Sequence, residues 1–305
     1  MIVVAGESLV DLLVEPTMRV VAAPGGGPFN TARTIARLGG DVALLSRLSS
    51  DRFGTEARRR LVEDGVRVDL VEATDDPTTL AVAELDDAGH ATYRFYVDGT
   101  AAPGLSGGAV AGALAVRPLA VHVGTLGLVL EPMASALDGL VAGLDPSTLL
   151  MIDVNARPTA TPDPSAYRDR VTRILARADV AKASVDDLAF LYPGLDADEA
   201  LARIAGAGPS AVLLTDGGGP VVLALGAARV DLPSPRVEVV DTVGAGDAFG
   251  GGVLHAWLHD GGTRDGLRDI DAVARAVEYG ILVAGITVGR AGADPPTAAE
   301  VGPRR

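Results

Sequence analysis

Short apolar runs alternate with segments of helical period along most of the chain. Ile2–Ala5 is continuously apolar, as a strand buried on both faces should be. Residues 29–38 have helical spacing and stop at Gly39 and Gly40. Residues 42–48 again read as a strand, and residues 55–64 as a helix ending at Gly65. Further strands are predicted over 119–123, 149–154, 180–182 and Ala211–Thr215, with helices over 167–178 and 197–205 between them. A last apolar β-run, 237–240, leads into the glycine turn 244–246, and a helical apolar run over 248–258 follows. This alternation predicts an α/β fold, a doubly wound, mostly parallel sheet with helices on both faces. Ligands of such sheets bind beyond the C-terminal ends of the strands.

Two stretches depart from that rhythm. Residues 79–96 alternate with period two around 86–90 and read as a hairpin, and residues 9–21 are extended with a turn at Glu15-Pro16. Together, about 9–22 and 79–100, they predict a small β-sheet standing off the main body. Such a sheet is either a lid that excludes water or a set of ordinary surface strands. Residues 221–232, with Gly226 at the middle, predict a further hairpin. With no repeat, low-complexity tract or long linker, residues 1–305 read as one domain ending in a short Pro-rich tail, 294–305.

Composition narrows the classes. The chain has 305 residues, 48% of them hydrophobic, enough for one large α/β domain or two small ones. A formal charge of −14 argues against a nucleic-acid surface, and the absence of cysteine excludes disulfides and thiolate metal sites. No run of about 18 uncharged apolar residues is present, and the N-terminus carries no basic leader, so no membrane contact and a cytoplasmic location are expected. Of 26 basic residues only Lys182 is a lysine. A P-loop needs Gly-Lys-Ser/Thr, which this sequence lacks, so phosphate handling would fall to backbone amides, arginine and magnesium.

Four constellations carry candidate chemistry. In Gly244-Ala245-Gly246-Asp247 a glycine turn opens a helix, where free N–H groups and the helix dipole favour an anion. An acid inside an anion pocket suits a base that accepts a proton from an incoming hydroxyl during phosphate transfer. A carboxyl of ordinary pKa, about 3.9, is already ionised at neutral pH. A dinucleotide fingerprint would need a third glycine where Phe249 stands. The second constellation, residues 24–30, is Pro-Gly-Gly-Gly-Pro-Phe-Asn before a helix; Asn30 either offers its amide to sugar hydroxyls or caps the helix. The third, Thr215-Asp-Gly-Gly-Gly219, follows a strand and is either a nucleotide-phosphate turn or only a turn. In the fourth, Asp153, Asn155 and Arg157 fall on alternate positions, so an extended backbone projects them to one side. There Arg157 meets a ligand or a structural salt bridge. His255 and His259 have the spacing of a metal pair but lack the adjacent glutamate and a third ligand.

Taken in order, these motifs resemble the ribokinase-like carbohydrate kinases, the phosphofructokinase B family, over nearly the whole chain. Gly6-Glu-Ser-Leu-Val-Asp11 is similar to the family's opening strand. Gly26-Gly-Pro-Phe-Asn30 with Ala32, Ala36 and Leu38-Gly39 is similar to its N-terminal signature, and Asp241-Thr-Val-Gly-Ala-Gly-Asp247 to its C-terminal one. The resemblance implies ATP and Mg2+ as cofactors, with K+ in some members. It implies Asp247 as general base, the amides of Gly244, Ala245 and Gly246 as anion hole, and Asp11, Gly26, Gly27 and Asn30 as sugar ligands, with Arg157 a further candidate. Ser184, Thr215, Gly217 and Gly219 fall at the nucleotide-phosphate positions. Asp187 matches a magnesium-organising position, and Asp241 with the Val243 carbonyl matches part of a monovalent-cation site.

The chain also departs from that pattern. The family's Asn-x-x-Glu reads Ser184-Val-Asp-Asp187, shortening both side chains, and Pro220 replaces the last glycine of the nucleotide turn. Residues 93–96, 122–125 and 153–157 are most similar to the fructokinase and 2-keto-3-deoxygluconate kinase branch. The resemblance therefore implies a fructokinase first and a 2-keto-3-deoxygluconate kinase second. A catalytically weak, sugar-binding regulatory protein is the alternative from another class. The expected partners are a small sugar and ATP, with a homodimer through the lid sheet, whose edges need cover.

Overall fold

The computed structural model describes residues 1–86 and 91–302. The expected turn of the 79–96 hairpin therefore falls largely outside the described residues, as does the end of the C-terminal tail.

The apolar runs assemble into one nine-stranded sheet. Its first strand, β1 (Ile2–Ala5), lies between parallel neighbours that precede and follow it in the order of strands. On one side come β4 (Val42–Ser49) and β5 (Val71–Thr74). On the other come β8 (Ala120–Gly124), β9 (Leu149–Asp153), β10 (Val180–Ser184) and β11 (Ala211–Thr215), all parallel. The 221–232 hairpin, β12 (Val221–Leu225) and β13 (Ala228–Leu232), closes that edge antiparallel. A separate four-stranded sheet, in the order β3 (Val20–Gly25), β2 (Leu9–Val14), β6 (Leu80–Leu85), β7 (Ala91–Tyr96), is the small sheet expected from the period-two segments.

Alternate residues of β1 show why the sheet must be covered twice. Val3 and Ala5 enter a core built with α3 (Gly107–Ala115), α4 (Met133–Gly143), α5 (Pro164–Leu175), α6 (Val185–Leu191) and α7 (Ala197–Ala207). Ile2 and Val4 enter the opposite core, built with α1 (Gly27–Arg37), α2 (Arg52–Glu63), α8 (Ala245–His259) and α9 (Ile270–Val288). A strand with apolar side chains on both faces gains burial only between two helical layers.

The second layer sets the site. A Cβ on Gly251 would stand 3.0 Å from Thr34 Cβ, and one on Gly252 would stand 3.0 Å from Gly280 Cα, so α8 is wedged closely between α1 and α9. Each helical glycine costs up to about 1 kcal/mol in propensity. The close approach brings the first turn of α8 against the first turns of α1.

Two expectations are corrected. Residues 237–240 form no strand. Val237, Val239 and Val240 are 41–60% exposed, and the segment is tied only at its end, where Val240 and Asp241 donate to the Val288 carbonyl. Among the described residues this β-branched run pairs with no strand, and strand propensity without a partner does not make a strand. The C-terminal segment is also no loose tail as far as it is described. Pro295 and Pro296 are buried, and α10 (Ala298–Val301) follows them. Among the described residues no helix is long and apolar enough to cross a membrane.

Candidate active site

The C-terminal ends of β1, β8 and β9 converge on the first turns of α1 and α8, under one face of the small sheet. Between them lies a cavity of about 700 Å3. Its wall brings together Asp11, Gly26, Gly27, Asn30, Arg157, Val243, Gly244, Gly246 and Asp247 from distant parts of the sequence, and Tyr93 and Phe95 of β7 reach it from the small sheet.

Asp247 stands in the first turn of α8, 7% exposed. The turn is made by Gly244, the helix N-cap, at φ 77°, where a Cβ would also lie 2.6 Å from Ala293 Cβ. The Ala245 amide closes the turn on the Thr242 carbonyl at 3.2 Å, so a bound anion would have to share it. Asn30 Nδ2 donates to Asp247 Oδ2 at 2.9 Å. Asn30 is not a cap, because Gly26 holds that position in α1 and makes no side-chain cap bond. Its Oδ1 is buried with no hydrogen-bond partner. Burial raises the Asp247 pKa above the ordinary aspartate value expected from sequence, although the Asn30 bond, Lys182 and Arg157 pull it down.

The glycine loop before α1 is required by space as well as by turning. A Cβ on Gly27 would meet Thr125 Cγ2 at 2.4 Å and Asp247 Oδ1 at 3.2 Å, and one on Gly25 would strike Asp11 Oδ2. The loop therefore lies directly on both carboxylates. Burial, together with the negative charge of Asp247, raises the Asp11 pKa to about 6, while Arg157 opposes the shift.

Asp153, Asn155 and Arg157 do not project to one side. Asp153 is buried in β9 and paired with Lys182, and Asn155 has a left-handed backbone, φ 35°, which breaks the extended alternation. Arg157 Nη1 turns back to Asn155 Oδ1 at 2.6 Å and to the Ala156 carbonyl at 3.1 Å while its side chain lines the cavity. Thr125, at the end of β8, is also left-handed at φ 55°. Non-glycine residues in this conformation at the ends of two neighbouring strands mark a site whose geometry overrides local preference.

Two buried charges beside the site were not assigned a role from sequence. Glu7, at the end of β1, is 2% exposed. It accepts from the Gly27 amide at 3.2 Å, the Gly127 amide at 3.1 Å and the Thr125 hydroxyl, tying the glycine loop to β8. Burial raises its pKa to about 7. Lys182 pairs with Asp153 at 2.8 Å. The available signal for both was a charge inside or just after an apolar strand, Ile2–Ala5 for one and 180–183 for the other.

The positions matched to a nucleotide lie further along the same edge. Ser184 and Thr215 are register partners at the ends of β10 and β11. The following turn closes with Gly219 N–H on the Asp216 carbonyl at 2.7 Å; Gly217 has φ 48° and faces open space. Ser184 caps α6 by accepting from the Asp187 amide. Asp187 in return accepts from the Ser184 amide at 2.7 Å and the Ala156 amide at 2.7 Å. Each carboxylate oxygen thus already holds one N–H, leaving the remaining lone pairs for a water or a hydrated ion. Asp241 accepts from Val243 N–H at 3.0 Å and Gly292 N–H at 2.9 Å, holding the α8 turn to the 289–294 segment. Among the described residues no group of three or more His, Cys, Asp or Glu side chains is gathered for a metal.

A family model described as pfkB family carbohydrate kinase matches residues 2–299. Among curated proteins, the chain is 34% identical to a fructokinase of Klebsiella pneumoniae, with 82% of each chain covered. It is 32% identical to a fructokinase of Rhizobium leguminosarum bv. trifolii, covering 83% of this chain and 78% of that one. Among solved structures, the fructokinase of Xylella fastidiosa with bound ATP superposes with a TM-score of 0.91 at 28% identity, covering 98% of this chain and 96% of the other.

Proposed function

The chain belongs to the pfkB family of carbohydrate kinases, phosphotransferases acting on a sugar hydroxyl, and we propose that its reaction is the transfer of the ATP γ-phosphoryl group to fructose. The observation that carries the mechanism is Asp247 in the first turn of α8, facing a cavity that Asp11, Gly26, Gly27 and Asn30 also line. A hydroxyl held there gives its proton to Asp247, its oxygen forms the new bond to the γ-phosphorus, and the bridging oxygen leaves with ADP. The N-terminus of α8 meets the charge that develops on the phosphoryl oxygens. Asn30 fixes the base, Glu7 fixes the glycine loop, and Asp11 accepts hydrogen bonds from the sugar.

Mg2+ arriving with the nucleotide supplies neutralising charge at the phosphates. Ser184 and Asp187 suit contact through its water shell, because their polar atoms are already engaged in the capping box of α6. Asp241 and the Val243 carbonyl are the candidate holders of K+. Thr215, Gly217 and Gly219 receive the nucleotide phosphates in this reading.

Charge balance favours a neutral sugar. Glu7, Asp11 and Asp247 line the cavity against Arg157 alone, whose guanidinium is already turned onto Asn155 and Ala156. A carboxylate-bearing sugar would meet three acids for one partly engaged cation. The small sheet supplies Tyr93 and Phe95 as a cover that excludes water. The test is ADP release with ATP and Mg2+ against fructose, 2-keto-3-deoxygluconate, ribose and adenosine. Turnover with fructose at the highest kcat/KM is expected; preference for the acid sugar would overturn the substrate assignment.

A further inference from the structure

The chain's single lysine is placed where a lysine is costly. Lys182 is 4% exposed, and its Nζ lies 2.9 and 2.8 Å from the two oxygens of Asp153, itself 1% exposed. Burying such a pair gives up hydration that apolar side chains of the same size would not need, so the pair is weakly justified as a source of stability. Its position adds a second cost. A Cβ on Gly246 would stand 3.0 Å from Lys182 Nζ, so the ammonium lies directly beneath the first turn of α8, where the helix dipole disfavours a cation. Two penalties coincide at a place in the fold where extra positive charge would serve an incoming anion.

We propose that Lys182 is a positioning residue of the phosphotransfer site, its ammonium fixed by Asp153 to supply positive charge beneath the anion hole and beside Asp247. The proposal rests on the phosphotransfer reading above. Lys182 does not touch the reacting atoms. The amides of the α8 turn face the phosphate, and the ammonium stands behind them on the sheet side. With Arg157, it offsets the negative charges around Asp247. Asp247 is faced by Lys182 from β10, Asp153 from β9, Glu7 from the end of β1, Asp11 from β2, Arg157 from the segment after β9, and Asn30 from the first turn of α1. Lys182 is faced by Asp153, Asp187 and Asp247, and by the buried ring of His122. Of these groups only Lys182 and Arg157 are cations, and Arg157 is committed to backbone and amide oxygens. The same placement makes a glycine at residue 246 fit best, since a Cβ there would press on the ammonium.

The test has two arms. The double variant Lys182→Met/Asp153→Leu replaces the pair by apolar side chains of similar size, so the fold is kept without the charge. It should show kcat lower by about 10- to 100-fold with sugar KM within a few-fold, and the acidic limb of its kcat–pH profile should move to higher pH. A folded double variant with native kcat and an unmoved acidic limb would overturn the proposal. The second arm needs no activity. In native protein labelled with 15N-lysine there is one ζ-ammonium resonance, and it should shift when Asp247→Asn is introduced. A resonance indifferent to that change would also overturn it. Should native enzyme turn over no sugar, the kinase reading fails while the ζ-resonance still reports on the placement, so the two failures are distinguishable.

Discussion

Asp247 sits between opposing influences, and its neighbours let each be read separately. Burial raises its pKa, while Asn30, Lys182 and Arg157 lower it. A base must be ionised, so kcat should fall with decreasing pH, with an inflection above the ordinary aspartate value of about 3.9. Asp11 supplies a second, separable signal. Burial raises its pKa to about 6, and the ionised form is the stronger acceptor for sugar hydroxyls. The sugar KM should therefore rise as pH falls through about 6, while the ATP KM stays level, and Asp11→Asn should abolish that dependence. Glu7 gives a stability signature. Its carboxyl is raised from 4.5 to about 7, so the native state holds the proton more tightly than the unfolded chain. The stability this contributes is complete below about 4.5 and is lost as pH rises through about 7. The denaturant midpoint should fall across that window, and Glu7→Gln should flatten the fall.

At the scale of elements, the α8 turn holds the site together. Gly244→Ala places a Cβ 2.6 Å from Ala293 Cβ on a left-handed backbone, and should cost about 2 kcal/mol or more of stability, measured by urea unfolding. Gly246→Ala has no such backbone strain but presses on Lys182. It should leave the melting temperature within a few degrees and lower kcat at least ~10-fold through misplacement of the turn. Much of this geometry was legible in the chain. Ile2–Ala5 and Ala211–Thr215 appear as predicted, and the helices over 29–38 and 197–205 start or end within about two residues of the expected bounds. The buried positions of α9, Val273, Ala276, Val277, Gly280 and Ile281, recur at three and four residues, so its helical pattern was present though no helix was assigned there. What periodicity does not carry is partnership. Residues 237–240 have strand composition but no edge to join. Lys182 reads as one charge in an apolar run until Asp153, 29 residues earlier, is brought to the adjacent strand. Likewise, nothing local says that Asn30 will orient Asp247 across 217 residues rather than cap its own helix.

At the scale of the whole molecule, the topology makes the site and the small sheet supplies part of its wall. Strand order reverses at β1, which opens the crevice between the ends of β1 and β8, and the small sheet projects over that crevice. The sheet's outer parts are apolar for an exposed surface: Met18 is 75% exposed, Val20 and Tyr96 51% each, and Val21 42%. Self-association through this sheet is the arrangement that would cover them. Sedimentation velocity should find a dimer at micromolar concentration, and Val21→Asp should shift it to monomer; a native monomer at that concentration would refute the pairing.

In the proposed reaction Asp247 removes the proton from the sugar hydroxyl. That step is tested most directly by single-turnover phosphorylation of fructose by the native enzyme and by Asp247→Asn, with fructose affinity measured on both. The predicted result is a transfer rate lower by about 10²- to 10⁴-fold with fructose affinity within a few-fold of native. Transfer at close to the native rate in the asparagine variant would contradict it.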